Sequence, residues 1–392
     1  MYSLQTTSKL DRTQPLSIYY DLDVINSDRS GLNAPVKLRF QETRNNPYLE
    51  APENYMLSVV RFSLHTPSLP VFIPLVELGQ ANPNKTVYSI TMTYVVGGNT
   101  ITHQEFIIYT PEDLSAPVPN PPLVNQDITS DYYYVKSYQH IVKMINTTLA
   151  NCLIGLNNAI VGAGGVALTT TPPYLDFDMS SFKAILATPQ VAFDLNLGTP
   201  YKLYFNSPLY HILTSFPAFY YGYLGITQGK NYQLNIYTTP NNGNVLLGAT
   251  NYLLTYQEDS SIAMMNPIQS IVFTTALLPV VSSNISNPKV FGVNTTNLFN
   301  SGENSNLAPV ITDFEVPMSP DNTFRPNIQY TPTAEYRFVD LYGSSPISSI
   351  ELSVYWKDNY NILHPFILNS GCSGNVKLLF RRRDFGNLSI GL

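Results

Sequence analysis

Five histidines, His65, His103, His140, His211 and His364, are the first residues to try for chemistry. They are scattered along the chain with no two inside one short spacing, so no zinc-type His pair is present. Each reads more simply as a core-edge or surface residue than as a ligand. Asp176 and Asp178 flank Phe177 in a strand-like stretch and would share one face. Such a pair can move protons or hold a cation, and it is equally what a solvated strand face looks like. Gly162-Ala-Gly164-Gly165-Val-Ala167 mimics a dinucleotide fingerprint, but a helical pattern precedes it and Thr169-Thr-Thr-Pro-Pro follows, the reverse of what that motif needs. It reads as a flexible linker. Neither a Gly-x-Ser-x-Gly elbow nor a phosphate-binding loop occurs. Phe216, Phe219, Tyr220, Tyr221 and Tyr223 could stack a sugar or a base. With no basic residue interleaved, a sheet core or a subunit interface suits them better. One cationic cluster stands out: Lys377 and Arg381, Arg382, Arg383, around the end of an apolar run. It reads as a solvated strand end, as a patch facing a packaged polyanion, or as one side of a subunit seam. No residue is assigned to catalysis, to a cofactor or to a metal.

The elements that carry these residues are mostly strands. From Ile350 an alternating run leads through a polar turn at Lys357–Asn361 to a second apolar run, then a Gly/Ser turn at Ser370–Gly374 and a third segment, Asn375–Phe380. Upstream, strand patterns cover Leu16–Ile25, Val36–Phe40 and Met56–His65, before Pro67, Pro70 and Pro74 break the series. A hairpin is predicted over Tyr88–Val96 and Ile101–Tyr109, turning at Gly97-Gly98-Asn99. Thr110–Ser130, rich in proline, should be an exposed loop. Tyr134–Leu156 carries Tyr138, Ile141, Val142, Ile145, Leu149, Cys152, Leu153 and Leu156 at helical spacing, a single apolar stripe that should pack on a sheet. Further strands are predicted at Tyr174–Phe177, Phe182–Leu186, Val191–Leu195, Tyr201–Phe205, Tyr232–Tyr237, Tyr252–Tyr256, Ser270–Leu278, Val310–Val316, Ile328–Tyr330 and Ala334–Leu341. A short helix is predicted at Pro208–Ser215, and Ser282–Leu307 reads as a loop.

Composition agrees. The chain has 392 residues, 28 Tyr, 19 Phe and 30 Pro, and only 12% charged residues, against about 25% in an ordinary soluble domain. Strand formers and turn formers dominate, and a weakly charged surface leaves room for packing against neighbours. The net charge of −6 argues against general nucleic-acid binding. Two cysteines, Cys152 and Cys372, cannot build a disulfide framework, which points to a reducing compartment. Neither a signal-peptide pattern nor an apolar run of membrane-spanning length is seen. Residues 1–15 read as a polar arm, and 16–392 as a β-rich body with room for two β lobes parting near 157–173.

Several stretches carry a resemblance. Leu10-Asp-Arg-Thr-Gln-Pro-Leu-Ser-Ile-Tyr-Tyr20, Val59-Val-Arg-Phe-Ser-Leu-His-Thr-Pro-Ser-Leu-Pro70, and Tyr204-Phe-Asn-Ser-Pro-Leu-Tyr210 with Phe216-Pro217 resemble capsid vertex (penton) proteins of virophages and polinton-like viruses. So do Thr312-Asp-Phe-Glu315, Glu335-Tyr-Arg-Phe-Val-Asp-Leu341, and Val354-Tyr-Trp-Lys through Lys377-Leu-Leu-Phe380. The resemblance implies an all-β fold: a jelly-roll β-sandwich protomer with a projecting insertion and one amphipathic helix. It implies a non-enzymatic virion protein without cofactors, assembled in the host cytoplasm as a homopentamer at icosahedral vertices. Its neighbours would be major capsid protein hexons or trimers, and packaged DNA would lie near Lys377 and Arg381–Arg383. Two rival readings are a double jelly-roll major capsid protein and, in another class, a carbohydrate-binding β-sandwich that uses the Tyr-rich loops.

Overall fold

The computed structural model describes residues 15–30, 34–124, 126–127, 130–221, 231–239, 243–281, 289–290, 309–316, 327–331 and 337–383. In chain order, β1 (Ser17–Ile25), β2 (Val36–Lys37), β3 (Arg39–Thr43) and β4 (Tyr55–His65) come first. Then follow β5 (Lys85–Val96), β6 (Asn99–Ile108), α1 (Tyr138–Gly162), β7 (Tyr174–Asp178), β8 (Lys183–Pro189), α2 (Gln190–Phe193), β9 (Lys202–Phe205), α3 (Ser207–Ile212), β10 (Ala218–Tyr220), β11 (Tyr232–Leu234), β12 (Asn244–Leu247), β13 (Thr250–Tyr256) and α4 (Ile262–Met265). The last part holds β14 (Ile268–Thr274), β15 (Val280–Val281), β16 (Lys289–Val290), β17 (Val310–Glu315), β18 (Asn327–Tyr330), β19 (Val339–Leu341), β20 (Ser349–Asp358), β21 (Ile362–Pro365), β22 (Ile367–Leu368) and β23 (Ser373–Arg382). The polar arm 1–15, apart from Pro15, and most of the 282–307 loop lie outside the described residues.

The chain forms two units. One joins the residues up to Ser68 to Gln269–Val316 and the C-terminal part; the other is built on Leu69–Ile268. The parting expected near 157–173 therefore falls elsewhere, at Ser68/Leu69 and Ile268/Gln269. Residues 157–173 lie inside the second unit because their polar groups tie them to it. Asn157 Nδ2 donates to the Thr169 carbonyl (2.8 Å), the Leu168 N–H donates to the Tyr201 hydroxyl (2.7 Å), and that hydroxyl donates to Asn157 Oδ1 (2.9 Å).

The first unit is a jelly roll. Its first sheet runs β1-β23-β4-β19-β15, with β18 also on β4; its second runs β16-β21-β20-β14-β17, with β3 on β20. Eight strands make the roll: β1, β3, β4, β14, β17, β19, β20 and β23 in chain order. Numbered one to eight, they stand 1-8-3-6 in one sheet and 2-7-4-5 in the other, the double Greek-key arrangement of a jelly roll. The second unit is inserted between the third and fourth of these strands. Alternation builds the interior: along β20, Ile350, Leu352, Val354, Trp356 and Asp358 are buried, while Ser349, Ser353, Tyr355 and Lys357 are not. Glu351 of the other face is buried as well, accepting from Arg39 Nε (3.0 Å) and the Ala276 N–H (2.7 Å). Phe62 of β4 meets Phe273 of β14 at 5.2 Å and Phe314 of β17 at 4.9 Å, ring centre to ring centre, so the two sheets share one core. Each such buried Phe contributes about 1.5–3 kcal/mol.

The second unit has a five-stranded sheet, β10-β11-β9-β5-β6, a four-stranded sheet, β12-β13-β8-β7, and α1, which packs on β5, β6 and β7. The predicted hairpin forms, with Gly97 and Gly98 at φ +55° and +86°, as a type I′ turn requires. The helix starts at Tyr138, the first residue of its apolar stripe and four residues later than the predicted start at Tyr134. Val135 exchanges backbone hydrogen bonds with Phe72, which holds that stretch extended. It also runs past Leu156, because Ile160 continues the buried stripe. Val191–Leu195, read as a strand, is instead the single turn α2 followed by a bend; so short an apolar run has no decisive period.

Candidate functional site

The cationic cluster sits on and just beyond β23, between β1 and β4. Val376, Leu378 and Phe380 point into the core, so Asn375, Lys377 and Arg381 take the opposite face. There the register sets Asp21, Lys377 and Arg61 in one row, and Asp23, Asn375 and Ser63 in the next. Lys377 Nζ lies 3.2 Å from Asp21 Oδ2, and Arg61 Nη2 lies 3.5 Å from Asp21 Oδ1. Asn375 Nδ2 donates to Asp23 Oδ1 (2.6 Å). Lys377 thus belongs to a compensated cross-strand row.

The three arginines part company. Arg381 is exposed, with its guanidinium 5.8 Å from the centre of the Phe338 ring, within cation–π range. Arg382 donates its N–H to the Leu16 carbonyl (2.9 Å). Burial raises the pKa of the Tyr55 hydroxyl, and the Arg382 charge opposes that rise. Arg383 turns inward: its Nη2 lies 3.0 Å from Asp340 Oδ1 and donates to the Leu341 carbonyl (3.0 Å), while its N–H donates to the Asn54 carbonyl. Arg383 is therefore a clamp on β19. The four cations share a strand end but do not form one uncompensated patch.

The other candidates resolve into structural roles. Gly162–Gly165 is the C-terminal stop of α1: the Gly165 N–H donates to the Ile160 carbonyl (2.9 Å) and the Gly164 N–H to the Val161 carbonyl (3.0 Å), with Gly164 at φ +76°, the Schellman arrangement. His65 Nδ1 accepts from the Ser373 N–H (3.1 Å). His103 Nε2 lies 3.0 Å from Glu105 Oε1, His140 Nε2 lies 2.6 Å from the Thr110 carbonyl, and His211 is exposed in the last turn of α3. His364 is buried: its Nε2–H donates to Asp358 Oδ2 (2.8 Å) and its ring stacks on Trp356 at 4.0 Å. Among the described residues, no three of His, Cys, Asp and Glu are grouped to hold a metal ion.

Asp176 and Asp178 do share the outward face of β7. Asp178 accepts from the Ser180 N–H and hydroxyl and from the Ser181 hydroxyl, and these bonds hold its carboxyl at about 2, below the usual 3.8. A depressed carboxyl favours the folded state above its unfolded value, and that contribution fades as pH falls from about 4 to about 2. An NMR pH titration should place the Asp178 midpoint near 2, and a midpoint near 3.8 would contradict the turn geometry. Cys152 is buried in α1, with Sγ facing the carbonyls of Ile90 and His103, and burial pushes its thiol up to about 12. Cys372 sits half-buried in a turn. Thiol alkylation at neutral pH should label Cys372 in the native protein and Cys152 only after unfolding.

The aromatic run divides by burial. Phe216 is in the core, while Phe219, Tyr220 and Tyr221 are exposed on β10 and just after it; Tyr223 lies outside the described residues. Tyr220 lies against Tyr232, which stacks on Tyr210 at 3.9 Å. Nothing in the sequence pattern pointed to the Asp358–His364 pair or to the bare strand β12.

The fold is a jelly roll carrying an inserted unit, and Asp178, Asp358, Lys377 and Arg383 are each bonded within its turns and strand rows. The family model "Sputnik minor capsid protein V18/19" matches residues 18–382, and the chain belongs to that family. The Sputnik virophage protein V18 is 34% identical over 39% of this chain and 91% of its own length. Structural protein V19 of Sputnik virophage is 24% identical over 53% of this chain and 93% of its own. A chain in the 3.5 Å cryo-EM structure of Sputnik virophage superposes with a TM-score of 0.75 at 24% identity, covering 94% of this chain and 98% of that one. The mavirus penton protein superposes with a TM-score of 0.58 at 19% identity, covering 94% and 99%. Both share the fold. Among the described residues no helix is long and apolar enough to cross a membrane.

Proposed function

We propose that this protein is a non-enzymatic shell subunit that forms homopentamers at the vertices of an icosahedral virion, beside the major capsid protein. The observation that carries this reading is an eight-stranded jelly roll among the described residues, with Leu69–Ile268 inserted between its third and fourth strands. A double jelly-roll major capsid protein would repeat the roll, whereas the second unit has a different strand order and a helix on its sheets. Negative-stain images of the purified chain should show rings of five. A chain that stays monomeric at high concentration and is missing from purified particles would overturn the reading. Virions are its final location, reached after assembly in the host cytoplasm.

In this reading the exposed Arg381, with Arg382 beside it, meets packaged DNA. Arg381→Gln should leave the pentamer intact and reduce the DNA retained in particles as salt rises, since such contacts are screened over about 8 Å at physiological ionic strength. Arg383→Gln should act differently, lowering thermal stability by about 1–2 kcal/mol through the lost bonds to Asp340 and Leu341. Equal effects of the two changes on DNA retention would argue against this division of roles.

A further inference from the structure

The four-stranded sheet of the second unit treats its two edges in opposite ways. At β7, Asn146 of α1 occupies the main chain of Leu175 with both amide atoms: Nδ2 donates to the Leu175 carbonyl (2.9 Å) and Oδ1 accepts its N–H (2.6 Å). Asp176 and Asp178 add charge to the same strand. Occupied backbone and charged side chains are the devices that stop an edge from pairing further.

The opposite edge, β12, has none of them. Asn244-Val-Leu-Leu247 carries no charge, no proline and no bulge in its pairing with β13. All four residues are exposed, with Leu246 at 71% and Leu247 at 58%. Successive side chains point to opposite faces, so exposure of all four means the unit covers neither face. Among the described residues no strand pairs with its outer edge. The strand is nonetheless held in place by a two-residue turn, Gly248-Ala249, with Gly248 at φ +62°.

The five-stranded sheet ends in a matching feature. β10 is an edge strand without charge, and Phe219, Tyr220 and Tyr221 are about half exposed. Their rings are already ordered: Tyr220 lies 4.8 Å from Tyr232, and Tyr221 donates its hydroxyl hydrogen to Gln233 Oε1 (2.9 Å). Ordered aromatic side chains lose little entropy on docking.

We infer that β12 of one copy docks against the β10 edge of the next copy, adding a strand across the subunit boundary. This rests on the ring-forming reading above. A closed ring is heterologous, so each copy must offer two different surfaces, and these are two different, uncharged, apolar edges on one unit. Pairing β12 with itself would make an isologous dimer and leave the β10 aromatics in water. Among the described residues neither edge strand carries a cation for a polyanionic partner.

The test uses the full-length chain carrying Cys372→Ser, so that introduced thiols are the reactive ones. Leu246→Cys and Tyr220→Cys combined should give covalent oligomers up to the ring with a short bismaleimide, and each change alone should give none. Dimers from Leu246→Cys alone, or intact rings without cross-links, would overturn the assignment. Leu246→Lys should raise the concentration of half-association by about tenfold or more with the melting temperature of the monomer unchanged. Rings that form normally in the wild type and survive Leu246→Lys sink the edge assignment and leave the pentamer standing. A wild-type chain that never associates removes both.

Discussion

Asp358→Ala is expected to destabilise the jelly roll by about 3–5 kcal/mol, the range for stripping one partner from a buried polar pair. Asp358 and His364 are each 2% exposed. The carboxylate does three jobs: Oδ1 accepts from the N–H groups of Tyr360 (2.8 Å) and Ile362 (2.9 Å), and Oδ2 accepts from His364 (2.8 Å). The first two bonds shape the hairpin between β20 and β21, in which Asn361 sits at φ +63°. The third fixes the ring that stacks on Trp356. Alanine removes both acceptor oxygens and with them all three bonds, the one from the buried His364 ring included. Asp358→Asn keeps an oxygen for the turn and should lose less, about 1–2 kcal/mol. Denaturant unfolding of both variants measures this. Equal losses would mean that the charge alone matters and the turn bonds do not.

Gly155→Ala in α1 should destabilise the second unit by about 1–3 kcal/mol, as overpacking does, although alanine normally gains about 1 kcal/mol over glycine in a helix interior. The sign reverses because a Cβ built on Gly155 would lie 2.1 Å from His103 Nε2. The imidazole of β6 lies directly on the helix backbone there, and its contact with Glu105 resists moving it aside. Glycine is what lets the helix approach β6 so closely. In a His103→Ala background the obstacle is gone, so the same Gly155→Ala change should become stabilising by about 1 kcal/mol. Thermal melts of the four proteins form a double-mutant cycle. The same sign in both backgrounds would show that the contact does not control the site.

Local chemistry was readable from residues alone, and long-range pairing was not. Gly97-Gly98 announced a hairpin because only glycine takes two positive φ values cheaply. The stripe from Tyr138 to Leu156 announced α1, and the glycines after it announced its end. The extended stretch before Tyr138 is not legible in the sequence because the bridge from Val135 to Phe72 that fixes it belongs to tertiary structure. α2 reads as a strand in the sequence because four residues cannot establish a period. The prolines at 67, 70 and 74 marked a break without revealing that the chain leaves one unit there and returns at Gln269. The cationic cluster showed the same limit. Its residues are neighbours in sequence, but the acids that divide them, Asp21 and Asp340, come from distant strands.

The insertion also sets an order of events for a chain emerging from a ribosome. Ser17 pairs with Arg381 and Ile25 with Ser373, so β1 waits for almost the whole chain before its partner exists. β23 is also the partner of β4, and it separates the two. Until β23 is made, β1 therefore has no partner and β4 has at most β18 and β19, and unpaired edges are the state in which nascent β-proteins aggregate. The second unit suffers no such delay, because its body is the continuous stretch Leu69–Ile268. It can complete itself while the jelly roll is still half made. A nonsense mutation just before β23 should thus yield a folded second unit attached to an insoluble remainder.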